Sequence, residues 1–134
     1  MKNIFLDSDI ILDALLKRPG FFLPAMNIIS LANSDLKIVT SSIAFINVHY
    51  FLDKFDRKNK FPLLKRLRSI ISIIEVGETI IDLALKSGLT DFEDAVQYYA
   101  AMSAKADVII TRNIKDYKQS IIPVLTAEQF LRTL

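Results

Sequence analysis

The chain contains no cysteine and a single histidine, His49. Without thiols there is no disulfide framework and no thiolate metal site. One imidazole with no second partner makes His49 a surface or half-buried structural residue rather than a metal ligand. No apolar stretch approaches the roughly 20 residues that a membrane span needs. Asp7, Asp9 and Asp13 interrupt the apolar N-terminus, which does not read as a signal peptide. These absences point to a cytoplasmic protein with no membrane partner. There is no large charge excess either: the net charge is +2, too small to name a partner by itself. Repeats, low-complexity segments and dividing linkers are also missing. The 134 residues, 51% of them apolar, fit one domain spanning 1–134 with a full core.

What the chain does have is alternation. Short apolar runs at Ile4-Phe5-Leu6, Lys37-Ile38-Val39-Thr40, Ile73-Ile74, Val108-Ile109-Ile110 and Val124-Leu125 read as buried strands. Between them lie helical stretches: about Ser8 to Lys17, ended by Pro19-Gly20; Phe22 to Ala32; Ser42 to about Lys54, with Ser41-Ser42 as caps; and Leu63 to Ile71, with Pro62 in its first turn. Glu78 to Lys86 is a further short helix, stopped at Ser87-Gly88. Thr90 and Glu93 have the spacing of a capping box for a helix running to about Lys105, and Thr126 and Gln129 repeat it for a closing helix. Strands alternating with helices predict a three-layer α/β/α fold around a parallel sheet of four to five strands.

The acids fall where such a fold would gather them. Ligands of open α/β sheets bind beyond the carboxyl ends of the strands. Asp7 ends the first strand, Asn113 and Asp116 follow the fourth, and Asp94 lies in the first turn of the helix between. If the first and fourth strands are neighbours, these groups share one rim, and their mutual repulsion calls for a cation. Oxygen ligands without His or Cys suit Mg²⁺ or Mn²⁺, which can activate a water against a phosphodiester. Asp7 also has a simpler role open to it, as the N-cap of the next helix. Asp116 has one as a turn residue. Asp91 and Glu93 complement the helix dipole, with Glu93 as the capping-box partner. Asp13 reads as a solvated surface acid.

Asn47 sits in mid-helix beside Ile43, Ile46 and Tyr50 and needs a hydrogen-bond partner, either within the acidic cup or on a loop backbone. Seven of the 17 basic residues fall between Lys54 and Arg68, a solvated face or a sequence-independent phosphate contact. Phe51 and Phe55, at helical spacing, read as core, and Tyr98 and Tyr99 as packing residues. Leu63, Leu64 and Leu67 beside basic residues are candidates for an interface.

At this point the residues resemble a known family. Ile4-Phe5-Leu6-Asp7-Ser8-Asp9-Ile10-Ile11-Leu12-Asp13 is similar to the opening motif of PIN-domain ribonucleases, a hydrophobic strand followed by Asp-Thr-Asn-Val-Leu-Leu-Asp. Asp91-Phe92-Glu93-Asp94-Ala95-Val96-Gln97 and Ala106-Asp107-Val108-Ile109-Ile110-Thr111-Arg112-Asn113-Ile114-Lys115-Asp116-Tyr117 resemble its closing motifs. The bacterial branch that includes toxins of VapC type fits best. The resemblance implies a PIN-like α/β/α fold and Mg²⁺- or Mn²⁺-dependent cleavage of RNA. It implies Asp7, Asp94 and Asp116 as the catalytic and metal-binding acids, with Asp9, Asn47, Asp91 and Asn113 as secondary candidates. It also implies a small antitoxin partner for a toxin member, and a homodimer. Asp9 stands where the family usually has Asn, and Asn47 stands at about the place of its usual helix Glu.

That last departure sustains a second reading, a catalytically weak PIN fold that binds RNA or a protein. A third, a phosphotransferase of the haloacid dehalogenase type, rests on Asp7-Ser8-Asp9 alone. It lacks the cap segment such enzymes usually carry.

Overall fold

The computed structural model describes all residues, 1–134. Its elements are β1 (Lys2–Leu6), α1 (Ser8–Leu15), α2 (Phe22–Ser30), β2 (Leu36–Ser41), α3 (Ser42–Phe55), α4 (Lys60–Ile70), β3 (Ser72–Ile74), α5 (Glu78–Lys86), α6 (Phe92–Ser103), β4 (Val108–Ile110), β5 (Val124–Leu125) and α7 (Ala127–Leu131). Single 3₁₀ turns stand at Arg57–Asn59 and Ile114–Tyr117. The five strands form one sheet in the order β3-β2-β1-β4-β5, and every pairing is parallel. The predicted layered fold is the observed one.

The central strands are continuous apolar runs because both faces of the sheet are covered. Successive side chains point to opposite faces of a strand. Ile4 and Leu6 join the core under α1, α2, α3, α4 and α7, with Ile38, Val108, Ile110 and Phe130. Phe5 points the other way, into the core under α5 and α6, with Val39, Ile109, Ala95 and Ala100. Ile4, Phe5 and Leu6 have no exposed area at all. Small residues on α6 (Ala95, Ala100, Ala101) let that helix approach the sheet closely.

The chain steps from β1 outward to β2 and β3, then returns to add β4 and β5 on the other side. The reversal lies between β1 and β4, the place where an open α/β sheet binds its ligands. Register pairs Leu6 with Ile110. The backbone N–H of Asp7 donates to the Ile110 carbonyl at 3.0 Å. Asp7 and Thr111 are thereby brought to the same rim.

Several local signals differ from the sequence reading. α1 stops at Leu15 rather than Lys17, because Lys17 takes a left-handed conformation (φ 52°). The Arg18 N–H then closes on the Asp13 carbonyl at 3.1 Å and the Lys17 N–H on that of Ala14, a Schellman ending. Glycine fits that conformation better than lysine. Lys17→Gly is expected to stabilise the protein by about 0.5–1 kcal/mol, read as a small rise in Tm. A fall in Tm would mean that the Lys17 side chain contributes more than its backbone costs.

α6 is capped by Asp91, whose Oδ1 accepts the Asp94 N–H at 2.9 Å, and not by Thr90. The Thr126–Gln129 capping box forms as predicted. Leu64 and Leu67 are buried in the core and give no interface, while Leu63 is packed against them. Phe55, expected in the core, is 61% exposed. It is the last residue of α3, its ring stacked 6.4 Å from that of Phe51, and Lys54 stands over it at 5.4 Å. Tyr98 and Tyr99 pack against the α6 side of the core. His49 is half-buried, its ring 6.1 Å from that of Phe61.

The basic stretch is partly neutralised from within. Asp53 is bonded to Lys60 Nζ at 2.5 Å and to Arg57. The Lys60 hydrogen bond, followed by the charge of Arg57, holds the Asp53 carboxyl below its ordinary range. Lys54, Lys58, Lys65 and Arg66 remain exposed.

Candidate active site

Asp7 is the N-cap of α1, and one of its oxygens does only that, accepting the Ser8 N–H at 2.8 Å. The other oxygen faces the rim. It accepts the Thr111 hydroxyl at 3.1 Å and the Tyr117 hydroxyl at 3.0 Å. The capping role and the rim role are therefore both filled by one carboxylate. Asp9 Oδ2 accepts the Arg112 N–H at 3.1 Å and lies 3.3 Å from the Thr111 hydroxyl. That hydroxyl carries one proton, so it serves Asp7 or Asp9 but not both at once. Its own oxygen accepts the Asn113 N–H. Asp9 Oδ1 is buried with no partner.

Burial, with the neighbouring Asp9 second, pushes the Asp7 carboxyl up to about 6 against the pull of its three donors. Burial also raises Asp9, against the Arg112 N–H. Tyr117, buried beside Asp7, is pushed far above its ordinary range and stays a protonated donor.

Asp94 stands in the first turn of α6, half-buried. Burial comes first, followed by the charges of Asp116, Asp91, Asp7 and Glu93, and together they push its carboxyl up to about 7. The charges of Asp7, after β1, and of Asp116, in the turn after β4, thus both act on Asp94 at the start of α6. Asp91, Asp94 and Asp116 line an open cleft of about 460 Å³, together with Lys115 and Lys118. No three of the acidic or histidine side chains are gathered tightly enough to hold a metal ion on their own.

Other residues fall elsewhere than expected. Glu93 does not close a capping box; its Oε1 accepts the Asn47 side-chain N–H at 2.8 Å. Asn47 therefore finds its partner on α6, at the edge of the acid group rather than on a loop. Asn113 is exposed and lines a second cleft on the far side of β4. Asp13 is not a solvated surface acid. It is 1% exposed and is bonded to Arg112 at 3.0 Å and to Arg18 at 3.5 Å. The helix turns it inward, under the loop that Arg18 and Phe21 occupy. Burial raises its carboxyl and the two guanidinium groups pull it back. A further link joins the two helices beside the site: the Ser41 hydroxyl, which also caps α3, donates to Gln97 Oε1 on α6.

Sequence reasoning placed no role on Thr111, Tyr117 or Arg112. Thr111 had a signal, since it is the first polar residue after a fully buried strand. Tyr117 and Arg112 had none, because their partners lie about a hundred residues away in the chain.

The raised carboxyls make stability depend on pH. In the folded chain Asp7 and Asp94 titrate at about 6 and about 7, against 3.8 for an unperturbed group. Between these values the folded state binds more protons than the unfolded one, so unfolding free energy falls as pH rises. In EDTA, thermal unfolding is expected to show a protein less stable at pH 8 than at pH 5, by on the order of 2 kcal/mol. A midpoint that rises over this window would mean that burial does not raise these carboxyls in the folded chain.

The chain matches the PIN domain family over residues 3–115 and belongs to it. It is 29% identical over 137 residues to a protein named Ribonuclease VapC1 of Aquifex aeolicus (strain VF5), covering 96% of this chain and 93% of that one. Among solved structures, VapBC-1 from nontypeable Haemophilus influenzae superposes with a TM-score of 0.71 at 18% identity, covering 94% of this chain and 98% of that one. A toxin–antitoxin complex from Klebsiella pneumoniae gives 0.68 at 21% identity, over 92% and 97%. At these identities the structures establish the fold. The PIN-like architecture expected from the sequence is the one observed.

Proposed function

We propose that this protein is a divalent-metal-dependent endoribonuclease, the toxin of a toxin–antitoxin pair. The observation that supports the proposal is the cleft lined by Asp91, Asp94 and Asp116, where burial and then the charges of Asp116, Asp91 and Asp7 raise the Asp94 carboxyl. Carboxylates that repel one another across a partly buried cleft are costly unless a cation shares the site. The donor set fits Mg²⁺ or Mn²⁺: hard oxygens, no thiolate, no imidazole, and a buried Asp9 oxygen without a donor. Mg²⁺ commonly takes one or two carboxylates and completes its shell with water and phosphate oxygens, so a preformed cage is not needed. Such an ion, when bound, supplies a water of lowered pKa and neutralises charge on the phosphodiester.

The chain's own residues have separable tasks. Asp7, Asp94 and Asp116 would hold the metal. Thr111 and Tyr117 fix the Asp7 carboxylate by their hydroxyls, and Tyr117 keeps its proton throughout the working pH range. Asp91 fixes the start of α6 and so the position of Asp94. Lys115 and Lys118, on the wall of the acidic cleft, would meet phosphates of the RNA strand. The relatives that carry ribonuclease and toxin–antitoxin names support the reading. The exposed apolar side chains Ile46, Tyr50, Phe55 and Phe61 offer a protein partner, an antitoxin or a second copy, something to cover. No helix is long and apolar enough to cross a membrane.

The test is cleavage of a mixed pool of structured RNAs with Mn²⁺, with Mg²⁺ and with EDTA. Metal-dependent cleavage is expected. A folded protein inert with both metals would sink the enzymatic reading. Asn47, uncharged where the family usually carries Glu, supports a second one: a PIN fold that binds RNA without cutting it. RNA binding with no turnover at saturating Mn²⁺ would select that reading.

A further inference from the structure

Beside the acidic rim, on the other side of β4, lies a second cleft of about 410 Å³ that none of the proposed catalytic residues enters. One wall is apolar and belongs to α1 and the start of α2: Ile10, Phe21 and Pro24. The opposite wall carries Asn113 and Glu128, both exposed. Phe21 is 44% exposed although it is aromatic, and Arg112 covers its ring at 4.1 Å to the centroid. The Arg112 guanidinium is committed to the buried Asp13 carboxylate. The cleft therefore offers the uncovered part of an aromatic ring, an amide and an exposed carboxylate whose one ionic contact is a loose pairing with Arg132 at 3.6 Å.

That charge balance decides what it can take. A phosphate would meet the Glu128 carboxylate and would have to draw Arg132 from Glu128 or Arg112 from the buried Asp13. A neutral, flat group with N–H donors on its edge suits it: apolar and aromatic surface for its face, a carboxylate and an amide for its edge. We propose that this cleft is a nucleobase subsite that takes a base next to the scissile bond, stacked toward Phe21 and read at its amino or imino edge by Glu128 and Asn113. The inference rests on the ribonuclease reading for the identity of its ligand. Asn113 ties the two places together. It begins the 3₁₀ turn that carries Asp116 and Tyr117, and its N–H holds the Thr111 hydroxyl that braces Asp7. A base held by Asn113 would therefore sit next to the turn that carries Asp116.

The experiment has two readouts. Binding of fluorescently labelled single-stranded RNA is followed by anisotropy in EDTA, where no cleavage occurs. Cleavage positions are mapped on a randomised RNA with Mn²⁺. Phe21→Ala is expected to weaken binding about tenfold and Phe21→Tyr to restore most of it, the effect of one lost stacking contact. Glu128→Gln, an exposed change that leaves the fold intact, is expected to alter the base preferred at one position beside the cut. If wild-type protein cleaves RNA and neither variant changes affinity or base preference, the subsite is wrong while the nuclease reading stands. If no RNA is cleaved but Phe21→Ala still weakens binding, the subsite stands and the nuclease reading fails. Absence of RNA binding by the wild-type protein overturns both and leaves the cleft to a peptide of the protein partner.

Discussion

Asp94→Asn is expected to lower RNA cleavage by about 10³-fold or more at saturating Mn²⁺, on the order of 4 kcal/mol of lost stabilisation. The same substitution is expected to raise the stability of the metal-free protein at pH 8. Both effects have one cause. The Asp94 carboxyl is pushed up to about 7 by burial and by Asp116, Asp91, Asp7 and Glu93, so at pH 8 its charge is a strain on the apo fold. An amide of the same shape removes that charge. The gain is about 1 kcal/mol once solvent screening of a half-exposed group is allowed for. It vanishes near pH 5, where Asp94 is already protonated. Thermal unfolding in EDTA at the two pH values, beside the cleavage assay, measures both. Cleavage that survives the substitution would remove Asp94 from the catalytic set. A loss of apo stability would mean that its charge serves the fold rather than a ligand.

Arg112→Ala carries the largest expected structural cost, about 3 kcal/mol, or roughly 10 °C in Tm. Asp13 is 1% exposed, and its closest cation is Arg112 at 3.0 Å; Arg18 stands off at 3.5 Å. Removing Arg112 leaves a buried carboxylate with one weak partner. It also uncovers the Phe21 ring. The deficit is expected to shrink toward pH 5, because an unpaired buried carboxyl takes up a proton more readily. Arg18→Ala, which leaves the shorter contact in place, is expected to cost about 1 kcal/mol. The double variant Asp13→Leu with Arg112→Met, which removes both charges, is expected to recover most of the loss. Equal costs for the two arginine variants would show that the 3.0 Å contact has no special weight.

Much of the site is legible in the sequence because it depends on local rules. Ile4-Phe5-Leu6 has only one reading as a buried parallel strand, and Asp7 follows it directly. The parallel sheet sends ligands to strand ends, so Asp7 and the residues after Ile110 meet. Asp94 follows from the start of α6, even though the cap is Asp91 rather than Thr90. That slip arose because both residues are good caps, and only the observed backbone at Asp91 separates them.

What the sequence does not contain is the second partner of each polar group. Asp13 looks like any solvated acid at its place in a helix. Its burial exists only because the loop after α1 folds over it and brings Arg18, while β4 delivers Arg112 from the far end of the chain. Asn47 reads as a lost Glu, yet in the fold it holds Glu93, a carboxylate that acts on Asp94. Phe55 has helical spacing for the core, but it is the last residue of α3 and stays exposed. Periodicity, caps and strand ends are properties of neighbours in sequence, so the sequence alone determined the layered parallel fold and that Asp7 follows a buried strand end. Pairing of charges, the tyrosine that braces Asp7 and the second cleft are properties of neighbours in space, and only the tertiary structure decided them.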